Sequence, residues 1–153
     1  MSVSASIEIF LTQNQNLVLN TPLCEIVKMF LGMGWTYEYE EITNILPIGH
    51  KNEFSWPGFK LSSSEFWDIL YKKEELGELI GISLSWQKTE IGGQFLLDSK
   101  VSNELVVTIL PVYDRQKKKE YDLTDFDWYL EKIIPAIDLE IFYIQKVVFI
   151  ETK

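Results

Sequence analysis

Few side chains in this sequence are equipped for covalent or metal chemistry. It holds one histidine, His50, and one cysteine, Cys24. A zinc site normally draws on several such ligands, and a thiol–imidazole nucleophile needs the pair brought together and held by a third group. His50 follows Pro47-Ile48-Gly49, a stretch with turn chemistry, where a surface role is expected. Cys24 falls on an apolar stripe and reads as a small buried hydrophobe. Ser62-Ser63-Ser64 is accounted for as a helix start. Gly77 to Gly81 and Ile91-Gly92-Gly93 lack the strand, glycine loop and helix of a phosphate cradle, and no Gly-Lys-Ser or Gly-Lys-Thr occurs. Neither a catalytic residue nor a cofactor or metal is expected.

What the sequence does hold is acid beside aromatic. Glu38, Glu40 and Glu41 accompany Trp35, Tyr37 and Tyr39, while Asp122, Asp125, Asp127 and Glu131 surround Tyr121, Trp128 and Tyr129. Aromatic anchors supply the contact area that dominates binding energy, and carboxylates steer a cationic partner. The first candidate surface is therefore Tyr37, Glu38, Tyr39, Glu40 and Glu41, and the second is Asp122, Asp125, Asp127, Trp128 and Glu131. The alternative is a small-molecule pocket walled by Trp35, Tyr37, Trp56, Trp86 or Phe95. Packing of those same rings as core is an equal use for them. Pairing through an exposed strand, as an accessory subunit or a homodimer, is the third possibility.

Composition limits the classes further. Against 14 basic side chains stand 23 acidic ones, a formal charge of −9, and Arg115 is the only arginine. A nucleic-acid ligand is not expected, because phosphates demand clustered lysine and arginine. The unpaired cysteine fits a reducing compartment and a cytoplasmic protein. Met1 to Leu11 lacks the pattern of a secretory signal, and no run approaches the ~20 apolar residues of a membrane span. The chain's 153 residues suit one domain over 1–153.

In size, acidity, α+β pattern and want of a catalytic constellation, the chain resembles the immunity proteins of bacterial polymorphic-toxin systems. The resemblance is one of type over the whole length. Its most distinctive segment is Asp122-Leu-Thr-Asp-Phe-Asp-Trp-Tyr-Leu-Glu-Lys-Ile-Ile-Pro135. It implies a non-enzymatic inhibitor that neutralises a cognate toxin, a basic protein partner, by covering its active site. Many such toxins are nucleases, whose basic clefts a carboxylate face would meet as phosphate does.

The elements that must position these residues follow from periodicity. Val3 to Leu11 alternates as a strand with one buried face. Thr21-Pro22 opens a helix over 21–32, carried by Leu23, Ile26, Val27 and Phe30 and stopped by Gly32 and Gly34. Trp35 to Ile42 alternates aromatic against acidic, which predicts one strand. Pro47 to Leu61 reads as short extended pieces and loops. Ser62 and Glu65 form a capping box for a helix toward Lys73, closed by Gly77 and Gly81. Ile82 to Gln87, Phe95 to Asp98 and Leu105 to Val112 read as strands, with a turn at Gly92-Gly93. Thr124 is placed to cap a helix that Pro135 ends, with Leu123 and Trp128 as a hydrophobic staple. Leu139 to Ile150, apolar on both faces, predicts a covered strand away from the sheet edge. The sum is an α+β domain, a mainly antiparallel sheet of about six strands with about three helices on it.

Overall fold

A computed structural model describes residues 4–50, 55–100, 103–118 and 120–152. Among the described residues, nine strands, three α-helices and one short 3-10 helix follow one another. Six of the strands form an antiparallel sheet in the order β2-β6-β7-β8-β1-β9: β1 (Ser4–Gln13), β2 (Trp35–Thr36), β6 (Ile80–Trp86), β7 (Gly92–Ser99), β8 (Glu104–Tyr113) and β9 (Phe142–Thr152). A smaller antiparallel sheet joins β3 (Glu38–Tyr39), β4 (Ile42–Asn44) and β5 (Gly58–Phe59). The α+β class and its antiparallel six-strand sheet match the pattern read from the sequence. No helix among the described residues is long and apolar enough to cross a membrane.

The sheet has one apolar face because alternate residues point the same way. Ile7, Ile9 and Leu11 of β1 lie beside Leu105, Val107 and Ile109 of β8, and all six are buried. Helices α1 (Pro22–Met33), α2 (Ser63–Glu75) and α3 (Phe126–Ile133) supply the other half of that core. Phe30 of α1 meets Phe95 edge-on, with ring centroids 5.5 Å apart. The opposite face of the sheet carries Ser6, Glu8, Phe10 and Thr108, which line a groove.

Each helix start shows which polar group satisfies its free amides. Ser62 and Glu65 make the expected reciprocal box on α2, at 3.0 and 3.1 Å. On α1, Thr21 makes no side-chain cap. Glu74, at the end of α2, takes that role, accepting from the amides of Leu23 at 2.7 Å and Cys24 at 3.0 Å. On α3 the capping residue is Asp125, which accepts from Trp128, in place of the expected Thr124. Thr124 is instead buried and bonded to Arg115 and Glu151.

Several boundaries differ from the sequence reading for physical reasons. Val3 lies outside the described residues. Gly32 stays within α1, and Gly34, at φ 131°, ends it. The Trp35 to Ile42 run is three pieces, because the chain leaves β6 after Thr36, reverses at Glu40-Glu41 and rejoins β6 where Ile45 bridges Ile82. Gly81 lies inside β6, where a Cβ would come within 2.8 Å of the Trp56 ring. Gly92 and Gly93 begin β7. A Cβ on either would fall 2.1 Å from a carbonyl oxygen, of Leu84 and Leu110 respectively, so neighbouring backbone excludes side chains on both sides.

The largest departure is β9. It is an edge strand, with Tyr143, Phe149 and Ile150 exposed. Its inward row is unevenly covered: Phe142 is fully buried in the core, whereas Phe149 stays partly exposed although Phe126 of α3 meets it at 4.7 Å. A segment apolar on both faces reads as central, but here one row touches a helix and the other faces out.

Candidate functional site

The excursion between β2 and Ile45 builds the most featured concavity on the molecule. Glu38 pairs with Thr43 and Tyr39 with Ile42, so Glu40 and Glu41 form a two-residue turn. Both have positive φ, 51° and 67°. Turns of this kind match the twist of a hairpin and ordinarily take Asn or Gly, because a side chain in the left-handed region is strained. Two glutamates there put charge at the hairpin tip against local conformational preference.

The hairpin overhangs the outer face of β6 and the end of β8, enclosing a cleft of about 450 Å³. Tyr37, Tyr39 and Tyr113 line it, together with the carboxylates of Glu38, Glu90 and Asp114. Ser83 and Ser85 present hydroxyls from β6. The side-chain-free Gly92 stands between Ser85 and Tyr113 in the strand ladder. Tyr113 spans β7, and its hydroxyl meets that of Ser83 at 2.9 Å.

Two further contacts hold the walls. Tyr37 stacks on the buried Phe66 of α2, with ring centroids 3.8 Å apart and planes 8° from parallel. The Tyr39 hydroxyl donates to Glu90 Oε1 at 2.8 Å. That bond and the nearby negative charge raise the Tyr39 pKa, since both oppose phenolate formation. Among the described residues no basic side chain lines the cleft. Among the described residues Glu38 and Glu40 have no ion pair, and Glu41 meets only Lys60, at 3.8 Å with both exposed. A more open groove on the hairpin's other side sets Glu40 near Lys88 and Gln87.

The second acidic cluster is built differently. Asp122 lies 2.9 Å from Arg115 and 3.6 Å from Lys117. Lys118 reaches Asp125 at 3.3 Å and Asp127 at 3.5 Å, and those carboxylates raise its pKa. Trp128 is half-buried against Trp35 and lies under Lys132, whose Nζ is 4.5 Å from its ring. Tyr129, which the sequence placed beside these acids, is fully buried and accepts from the amide of Gln116. Glu131 is exposed on α3. The lysine run beginning at Lys117 thus neutralises the acids that follow it, while Lys119 lies outside the described residues.

The five alternative wall residues do not surround one cavity: Trp35 and Tyr37 border the open groove, and Tyr37 also borders the cleft. Trp35 and Phe95 are buried with ring centroids 5.0 Å apart, and Trp56 is buried over Gly81. Trp86 is half-buried beside Trp35 at 5.3 Å. Trp35, Trp56 and Phe95 are interior packing, with Trp56 occupying the space that Gly81 leaves, and Trp86 borders that packing. Tyr37 is the one member of that set at the cleft.

His50 and Cys24 have separate structural settings. The carbonyls of His50 and Pro47 accept from Lys73, whose buried ammonium also pairs with Glu78 at 3.1 Å. Cys24 is buried at the start of α1. No group of three or more His, Cys, Asp or Glu among the described residues could hold a metal ion. Glu90, Tyr113, Asp114 and the two serines escape a sequence reading because they come from elements far along the chain from the hairpin. The chain matches no protein family, no curated protein and no solved structure.

Proposed function

We propose that this protein is a non-enzymatic binding module that engages a basic protein partner through the β3–β4 hairpin and the cleft beneath it. The observation that carries this reading is the contrast between the two acidic clusters. Asp122, Asp125 and Asp127 are matched by Arg115, Lys117 and Lys118, whereas Glu38 and Glu40 have no ion pair among the described residues. Unmatched carboxylates retain a field that draws in a cation, and the adjacent tyrosines provide rigid area for contact. A stoichiometric inhibitor in the manner of the immunity proteins, occluding a basic active site, is the form of partner binding these features suit best.

The test is affinity capture from the native host, comparing the wild-type chain with Glu38→Lys/Glu40→Lys and with Asp127→Lys/Glu131→Lys. A basic protein should be recovered with the wild type and the α3 variant and lost with the hairpin variant. Equal recovery by all three folded proteins would remove the hairpin from the interface.

A further inference from the structure

The cleft has a chemical character narrower than general acidity. Three acidic residues line it and, among the described residues, no basic side chain does, so its field favours a cationic occupant over a neutral or anionic one. The acids do not converge as a metal site requires. They are spread around tyrosine rings, an arrangement that suits a charge distributed over a flat group. Glu90 already accepts one hydrogen bond from Tyr39, leaving its other oxygen for an incoming donor.

We infer that the cleft under the hairpin binds a guanidinium group, held by Glu38, Glu90 and Asp114 and flanked by Tyr39 and Tyr113. A guanidinium is planar, stacks on aromatic faces and donates in a fork that a carboxylate accepts on both oxygens. The volume of about 450 Å³ admits such a head with its alkyl stem and falls within the range of small-ligand sites, about 300–1,000 Å³. Two sources share this chemistry: an arginine side chain of a protein partner, or a free alkylguanidine. The inference rests on reading the hairpin and cleft as the working surface.

The experiment is a titration followed by the ring resonances of Tyr39 and Tyr113, using N-acetyl-arginine amide, butylguanidinium and the neutral isostere butylurea. Both cations should shift these rings saturably and butylurea should not. Glu38→Gln/Glu90→Gln should weaken binding by about tenfold or more, the scale of lost charge-assisted hydrogen bonds. Asp127→Asn, an equal kind of change at the neutralised cluster, should alter it less than about twofold. Val112→Trp should block the cleft without changing charge. If that variant fails to fold, the exposed glutamine pair still decides the matter. N-acetyl-arginine amide binding at least as well as butylguanidinium identifies a peptide side chain as the source, and binding of butylguanidinium alone identifies a free small molecule. Saturable binding of butylurea, equal loss in Asp127→Asn, or no saturable shift with either cation would overturn the inference. Should the cations fail while Glu38→Lys/Glu40→Lys still abolishes partner capture, the guanidinium site falls and the hairpin interface stands.

Discussion

At the scale of single residues, the buried polar groups tie the fold together. Lys73 is fully buried, and its ammonium has three acceptors: the carbonyls of Pro47 and His50 and the Glu78 carboxylate. Glu78 also accepts from the Gly49 amide, so one pair anchors the 47–50 turn to the end of α2. Replacing Glu78 by Gln should cost about 3–5 kcal/mol because the fully buried Lys73 ammonium loses its counter-charge. Glu74 links α2 to α1 in the same manner, capping the helix that carries Cys24. Burial first, then the hydrogen bond and charge of Glu74, push the Cys24 thiol far above its ordinary value of 9.0. A folded-state pKa raised above the unfolded one gives stability that is fully present below about pH 9 and is lost as pH rises above it. Tyr129, raised chiefly by burial, extends the loss from about pH 10. Urea midpoints should therefore fall between about pH 9 and pH 11, and Cys24→Ala should flatten the first part of that fall. An unchanged slope in the variant would assign the alkaline loss to other groups.

At the scale of elements, the hairpin is where local preference and observed structure disagree. Glu40 and Glu41 occupy left-handed backbone that glycine or asparagine would adopt at less cost. Glu41→Gly should raise stability by about 1 kcal/mol in urea unfolding, since the strain of one left-handed side chain is of that order. No gain would mean that contacts of the Glu41 side chain offset the strain. This disagreement also explains what the sequence concealed. The capping box of Ser62 and Glu65 and the alternation of Ile7, Ile9 and Leu11 were legible, because each is a local rule obeyed locally. The hairpin was not, since Glu40-Glu41 has no turn signature and the aromatic–acid alternation ran straight through it. Gly92-Gly93 misled in the other direction. Glycine marks both turns and close strand approach, and here backbone on either side excludes a Cβ. β9 was misplaced because apolar residues on both faces do not distinguish a covered strand from an edge that packs on one helix.

At the scale of the molecule, the two faces of the sheet differ. Its helix-covered face holds the core, and the rim of its other face holds the hairpin and the tyrosine-lined cleft. The formal charge of −9 is not distributed uniformly, since salt bridges match Asp122, Asp125 and Asp127 while Glu38 and Glu40 have no ion pair among the described residues. The sequence offered both acidic clusters on equal terms. Only the pairing of Lys118 with Asp125 and Asp127, and the convergence of Glu90, Tyr113 and Asp114 on the hairpin, separates them. The Arg115–Glu151 pair, 3.2 Å apart, fastens the loop before α3 to the end of β9. Lys146 on that strand's exposed row adds a charge of the kind that discourages strand addition. The edge is thus partly blunted, which favours the proposed hairpin interface over strand pairing.

The measurement that bears most directly on this account is the association rate constant of the captured partner as salt is raised, taken for the wild type, the hairpin variant Glu38→Lys/Glu40→Lys and the α3 variant Asp127→Lys/Glu131→Lys. Steering by the hairpin predicts a wild-type rate that falls steeply with salt, a hairpin variant slower by about tenfold at low salt and nearly insensitive to it, and an α3 variant within about twofold of wild type. A hairpin variant that associates as fast as the wild type, with the same salt dependence, would contradict it.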